Sequence, residues 1–124
     1  MIKFIPVILT IAFTTLGQLA FKVGIDKVGD LPESVTMLSL IQYMFKALLN
    51  IWIILGFGSA VFAALSWIIA VSKFELSSIY PYQSINFVLV PLFSILLFGE
   101  SFNWYKLAGV VVILLGVLVF SKGI

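Results

Sequence analysis

Four runs of the chain carry no charged side chain: Phe4 to Phe21, Ile51 to Ser72, Leu76 to Gly99 and Leu107 to Ser121. An α-helix rises about 1.5 Å per residue and a bilayer's hydrocarbon core is about 30 Å thick, so about 20 apolar residues make one crossing. The last run is short, but Trp104 and Tyr105 suit an interfacial anchor that lengthens it. The expected fold is therefore an all-α membrane protein, a single four-helix domain over residues 1–124 with spans at about 4–21, 51–72, 76–99 and 104–121. We expect the first run to be kept as a span, not cleaved as a leader. It is long for a leader's apolar region, and the residue two before Ala20 is the bulky Gln18.

The rest of the composition narrows the chemistry. With 63% hydrophobic and only 10% charged residues, the chain lacks the polar exterior that a soluble domain needs. It has no histidine and no cysteine, which removes the imidazole base, thiol nucleophiles, disulfides and the usual metal ligands together. No cofactor or metal is expected, and the chain reads as a carrier and not an enzyme. Its seven basic residues are single, scattered lysines, too thin a footprint for nucleic acid.

Lys22 to Glu33 is the one extended polar stretch and reads as the main loop. Within it, Asp30 and Glu33 are spaced as a capping box, with Pro32 tolerated in a first turn. A short amphipathic helix over about 31–46 should follow, since Thr36, Ser39, Gln42, Tyr43 and Lys46 recur at three and four residues among apolar neighbours. Such a helix suits the membrane interface. The alternative is an early extension of the second span, which would put Asn50 inside it.

With four spans, one side of the membrane carries Lys3, Lys73 and Lys122, and the other carries Lys22, Lys27, Lys46 and Lys106. Three against four gives the positive-inside rule little to act on. Two readings stay open. The protein inserts both ways, letting copies pair antiparallel, or a small bias or a partner fixes its orientation.

Ionisable groups at mid-membrane are the default pointers to function, and the expected spans hold none, only neutral polarity. In the first, Thr10, Thr14, Gln18 and Lys22 recur every four residues beside Gly17. In the third, Tyr80, Gln83, Asn86 and Ser94 fall close to one face. Threonine and serine hydroxyls can bond to the carbonyl one turn back, but three amides at Gln18, Gln83 and Asn86 suggest a wet or polar cavity, in which an amide recognises a headgroup without itself carrying charge. Pro81 opens the third span, and Pro91 interrupts it and frees the carbonyl of Phe87. Gly56, Ser59, Ala63, Ser66 and Ala70 form a small-residue row for close helix packing. Gly109 and Gly116 share a face of the last span, which reads as an association surface.

These residues resemble the small multidrug resistance family of the drug/metabolite transporter superfamily: four spans in a short chain, Gly17 and Lys22 closing the first helix, Tyr80 opening the third, and Gly109 with Gly116 in the last. The resemblance covers nearly the whole chain except Val23 to Lys46. It implies that Gly109 and Gly116 form a dimer contact, in a homodimer or a heterodimer with a similar subunit. The exporters of that family carry a glutamate in the first helix where this chain has Thr14, and threonine cannot exchange a cation for a proton.

The finer pattern is similar to the lipid-linked aminoarabinose flippase subunits of the same superfamily. It comprises Gly17-Gln18-Leu19 with Lys22, Tyr80-Pro81 followed by Ser84, Asn86, Phe87 and Val88, and Glu100 ahead of the glycine-bearing helix. The resemblance implies movement of an undecaprenyl-phosphate-linked sugar across the bacterial inner membrane. Lys22 would hold the phosphate, Gln18, Gln83, Ser84 and Asn86 would line the sugar path, and Tyr80 would stack on the sugar or guard the entrance. Glu100 would orient Lys106 or meet an amino-sugar cation. The alternatives are a small-solute or drug exporter of the same fold, and a non-transporting assembly subunit.

Overall fold

The computed structural model describes residues 2–123, and every regular element in that range is helical. A 3₁₀ turn at Ile2–Phe4 leads into α1 (Ile5–Val28), followed by α2 (Met37–Leu48), α3 (Ile51–Lys73), α4 (Leu76–Ile79), a 3₁₀ segment (Tyr80–Ile85), α5 (Asn86–Phe98) and α6 (Trp104–Ser121). Four stretches are long and apolar enough to cross a membrane: Ile5–Val28, Ile51–Lys73, Leu76–Phe98 and Trp104–Ser121.

The first helix runs further than the charges imply. Lys22 to Val28, expected as loop, is helical and stops at Gly29, whose φ of 100° only glycine adopts readily and whose N–H donates to Ile25 O at 2.9 Å. Packing carries the helix on. Gly24 is buried against α3, where a Cβ would come within 2.7 Å of Ile53 and 2.9 Å of Asn50 Oδ1.

The expected Asp30/Glu33 capping box is not the one used. Thr36 caps α2: its Oγ1 accepts from Ser39 N–H at 3.1 Å, and Ser39 Oγ accepts from Thr36 N–H at 2.8 Å. Pro32 disfavours helical backbone at Leu31, and the reciprocal cap falls instead at the next Thr and Ser three residues apart. Tyr43 donates to Gly29 O at 2.7 Å, tying α2 to the end of α1. Asn50 does not lie inside an extended second span. It caps α3, with Oδ1 accepting from Trp52 N–H at 2.9 Å.

The tightest packing in the bundle joins α1 to α3. Of the small-residue row, Gly56, Ala63, Ser66 and Ala70 are buried. Gly56 has no room for a side chain, since a Cβ there would stand 2.6 Å from the Phe21 ring and 3.1 Å from Gly17 O. Around the Lys73 end, Val7, Ile11, Ala70 and Ile79 form the core, flanked by Trp67, Phe74, Tyr82, Ile85 and Leu89. The rings of Phe4 and Phe74 stack there at 5.2 Å.

The third crossing departs from the expected single helix. The break comes at Pro81, within the 3₁₀ segment, while Pro91 stays inside α5. Proline lacks an N–H and clashes with the carbonyl four residues back, which Pro81 meets one turn after α4 begins. Tightening to 3₁₀ winding at Tyr80 relieves that conflict. The final helix packs on this segment near its own C-terminal end, where Phe120 meets Tyr82 edge-on at 6.4 Å. No residue of α5 or α6 is buried. The bundle is closed at the Lys73 end and loose at the Lys22 end.

Candidate functional site

The 3₁₀ segment explains why the amides of the third crossing meet. With about three residues per turn, side chains three apart eclipse one another, so Tyr80, Gln83 and Asn86 fall along one edge. Asn86 Nδ2 donates to Gln83 Oε1 at 3.2 Å. Pro81 fixes the backbone at the start of the turn, and Ser84 Oγ donates to Pro81 O at 2.6 Å. Ser84, expected on the sugar path, thus spends its proton on the turn that positions the amides. Tyr80 is 63% exposed, and its ring packs edge-on against Trp67 at 6.0 Å.

Across from this edge stands Thr15 of α1, buried, with its Oγ1 2.9 Å from Asn86 Oδ1 and 2.9 Å from Ile11 O. A hydroxyl has one proton, so Thr15 satisfies one of these acceptors at a time. Rotating the Asn86 and Gln83 amides together by half a turn lets Asn86 Nδ2 donate to Thr15 and Gln83 Nε2 donate to Asn86 Oδ1, while Thr15 donates to Ile11 O. The chain Gln83, Asn86, Thr15, Ile11 is thus a polar bridge between α1 and α5 with two hydrogen-bond arrangements of similar quality. Sequence reasoning missed Thr15, because the four-residue row through Thr14 drew attention instead. Thr10, in that row, behaves as expected for a threonine and donates to Pro6 O at 2.8 Å. The overlooked signal was the set Thr15, Gln18 and Lys22, spaced three and four apart and therefore on one face.

Gln18 and Lys22 follow Thr15 along that face, and both are exposed. Lys22 Nζ pairs with Asp26 Oδ1 at 3.2 Å, with each side chain about half exposed. The structure therefore brings Gln83, Asn86 and Thr15 into contact and sets Gln18 and Lys22 in line with them. Glu100 and Lys106 lie elsewhere, between α5 and α6. There Lys106 Nζ donates to Ser101 O and lies 3.4 Å from Ser101 Oγ, and the side-chain ion pair among the described residues is Lys22 with Asp26, not Glu100 with Lys106. At Gly109 and Gly116 a Cβ would meet no atom of the chain within 4 Å, so this face of α6 is unpacked within the single chain.

Two clefts flank α5 at the loose end of the bundle. One, of about 530 Å³, lies between α1, α3 and the end of α5 and is lined by Leu16, Leu19, Ala20, Val23, Leu55 and Leu97 among others. The second, of about 780 Å³, separates α5 from α6 and is lined almost wholly by apolar side chains, with Glu100 and Lys106 at one end. Four helices long and apolar enough to span a membrane, an uncharged amide edge part-way along the third crossing and apolar clefts between the helices define a small multi-pass membrane protein.

Residues 34–122 match the EamA-like transporter family, and the chain belongs to that family. Among curated relatives, it is 30% identical over 114 residues to a probable 4-amino-4-deoxy-L-arabinose-phosphoundecaprenol flippase subunit ArnF of Erwinia tasmaniensis, covering 88% of this chain and 86% of the relative. It is 26% identical over 111 residues to the probable subunit ArnF of Proteus mirabilis, covering 87% and 83%. It is 27% identical over 115 residues to the probable subunit ArnE of Pseudomonas fluorescens, covering 93% of each. No solved structure matches the chain. The protein is a multi-pass protein of the bacterial inner membrane.

Proposed function

We propose that this protein is a flippase subunit that carries an undecaprenyl-phosphate-linked sugar across the inner membrane by alternating exposure of a polar path. The observation that carries this reading is the amide edge of Gln83 and Asn86 joined to Thr15, with an apolar cleft of about 530 Å³ further along α1, lined from Leu16 to Val23 and closed by Leu97 and Phe98 of α5. A substrate with a polar sugar and a hydrocarbon tail needs both, because amides replace the sugar's water and the cleft admits the tail sideways from lipid. Lys22, on the same face of α1 at the end nearest water, supplies a cation for the phosphate. The relatives, named as probable 4-amino-4-deoxy-L-arabinose-phosphoundecaprenol flippase subunits, support a lipid-linked sugar as the class of substrate. In this reading the unpacked Gly109/Gly116 face of α6 meets a second subunit, of the same or a similar chain.

Proteoliposomes carrying the protein with its partner subunit and a polyprenyl-phosphate sugar in the outer leaflet test the reading. Time-dependent protection of the sugar from an external probe is the expected result, lost in Asn86→Ala at normal protein levels. Robust export of toxic cations, abolished by Gln18→Ala and indifferent to lipid-sugar supply, would overturn it in favour of a drug exporter. Full activity in Lys22→Ala and Asn86→Ala with failure only in Gly109→Leu would point to an assembly subunit.

A further inference from the structure

The larger cleft, between α5 and α6, is separate from the amide path and takes no part in the proposed transport. Its walls run from Phe87 and Pro91 on α5 and Ile113 on α6 up to Glu100, Lys106 and Gly109. From Phe87 to Glu100 the chain climbs about 20 Å at helical rise. That is the depth of one leaflet with its headgroups, since a whole bilayer with headgroups measures about 40–45 Å. A groove made for a second spanning helix would run the full thickness. This one ends at Phe87 and Ile113, about half-way along the two crossings, and beyond them α6 closes onto the 3₁₀ segment through Phe120 and Tyr82.

The mouth carries one charge of each sign and is otherwise apolar. Lys106 Nζ is turned to Ser101 O and Oγ, so its charge is not cancelled by Glu100. Gly109 adds to the space, because nothing stands within 4 Å of where its Cβ would be. A ligand complementary to this mouth has an anion for Lys106, a cation for Glu100 on the same rim, and a hydrocarbon chain for the groove. We propose that the cleft is a binding site for one bilayer phospholipid with a zwitterionic, primary-amine headgroup. The phosphate sits at Lys106 and the α6 N-terminus, the amine at Glu100, and one acyl chain lies along Pro91 and Ile113. An anionic lipid satisfies Lys106 but leaves Glu100 facing like charge. A bare prenyl phosphate does the same. The bound lipid fills the gap that lets α5 move independently of α6.

Native mass spectrometry of the full chain, released from nanodiscs holding equal fractions of phosphatidylethanolamine, phosphatidylglycerol and undecaprenyl phosphate, tests the site. The expected spectrum shows one retained phosphatidylethanolamine per chain, favoured over phosphatidylglycerol by up to about fivefold, the most that an exposed ion pair is usually worth. Glu100→Gln should erase that preference without reducing total lipid retained. Val110→Trp should abolish retention by filling the cleft, and Val112→Trp, at an exposed position of the same helix outside the cleft lining, serves as a control that keeps it. Equal retention of both phospholipids, preferential retention of undecaprenyl phosphate, a preference unchanged in Glu100→Gln, or full lipid retention in Val110→Trp would each overturn the proposal.

Discussion

Thr15 Oγ1 and Asn86 Oδ1 lie 2.9 Å apart, joining α1 to α5 across 71 residues of sequence at the level where the third crossing changes its winding. This is the one side-chain hydrogen bond found between spanning helices among the described residues, and it sits where the closed end of the bundle gives way to the clefts. Thr15→Val keeps the shape and removes the hydroxyl. A membrane-embedded interhelical hydrogen bond is worth about 0.6 kcal/mol on average, so unfolding in detergent should shift little. Transport should fall much further, because the amide edge loses its anchor. Equal, small losses in stability and in flipping rate would show the bond to be mere packing.

The contact of α1 with α3 gives a sharper stability prediction. Gly56→Ala pushes a methyl into the Phe21 ring and towards Gly17 O, and overpacking of this kind costs about 1–3 kcal/mol. Gly58→Ala, two residues along the same helix with nothing within 4 Å, should leave stability unchanged or slightly raised. Thermal unfolding of the two variants in one detergent checks the contrast, and the same midpoint for both would mean that α1 and α3 are not packed this closely.

How much of this was legible beforehand follows from the kind of signal each element leaves. Uncharged runs report crossings well, because lipid penalises charge whatever the details of packing, and the last span matched from Trp104 to Ser121. They report helix ends poorly: α1 passes through Lys22, Asp26 and Lys27, since Gly24 and Gly29, not the charges, set where it packs and stops. The amides Gln83 and Asn86 stood out as uncharged polarity in an apolar run. Their spacing of three already put them on one face, since such residues are neighbours on an α-helix as on a 3₁₀ turn. Their partner across the bundle, Thr15, was hidden, being one residue from a more regular row.

The cap of α2 can be tested without any transport assay. Removing Thr36 Oγ1 by Thr36→Ala deletes the acceptor for Ser39 N–H, and loss of such a cap costs about 1 kcal/mol. Hydrogen exchange over 37–48 should speed up by about fivefold while α3 exchanges as before, since Asn50 caps it separately. Faster exchange spreading into 51–60 would mean that α2 and α3 open as one helix.

Lys22 separates stability from function. Its pair with Asp26 is about half exposed on both sides, and exposed pairs of this kind contribute little. Asp26→Asn and Lys22→Gln should therefore both unfold at the wild-type temperature. Only Lys22→Gln should slow flipping, with Lys22→Arg retaining most of the rate, because the phosphate needs the cation and not the pair. Parallel loss of activity in Asp26→Asn and Lys22→Gln would assign the ion pair a structural role and remove Lys22 from the substrate path.

The absence of cysteine makes the cleft between α1 and α5 directly testable. Leu19 and Leu97 face the same 530 Å³ space from opposite helices. Introduced together as Leu19→Cys and Leu97→Cys, they can be joined by bismaleimides of graded length in an otherwise thiol-free chain. If the substrate tail enters here, a short linker that draws the walls together should stop flipping. A long linker should slow it only in part, and each single variant treated alike should stay active. Cleaving a reducible linker should restore the rate, which distinguishes a blocked path from a damaged protein. Undiminished flipping with the short linker in place would show that the tail travels by another route.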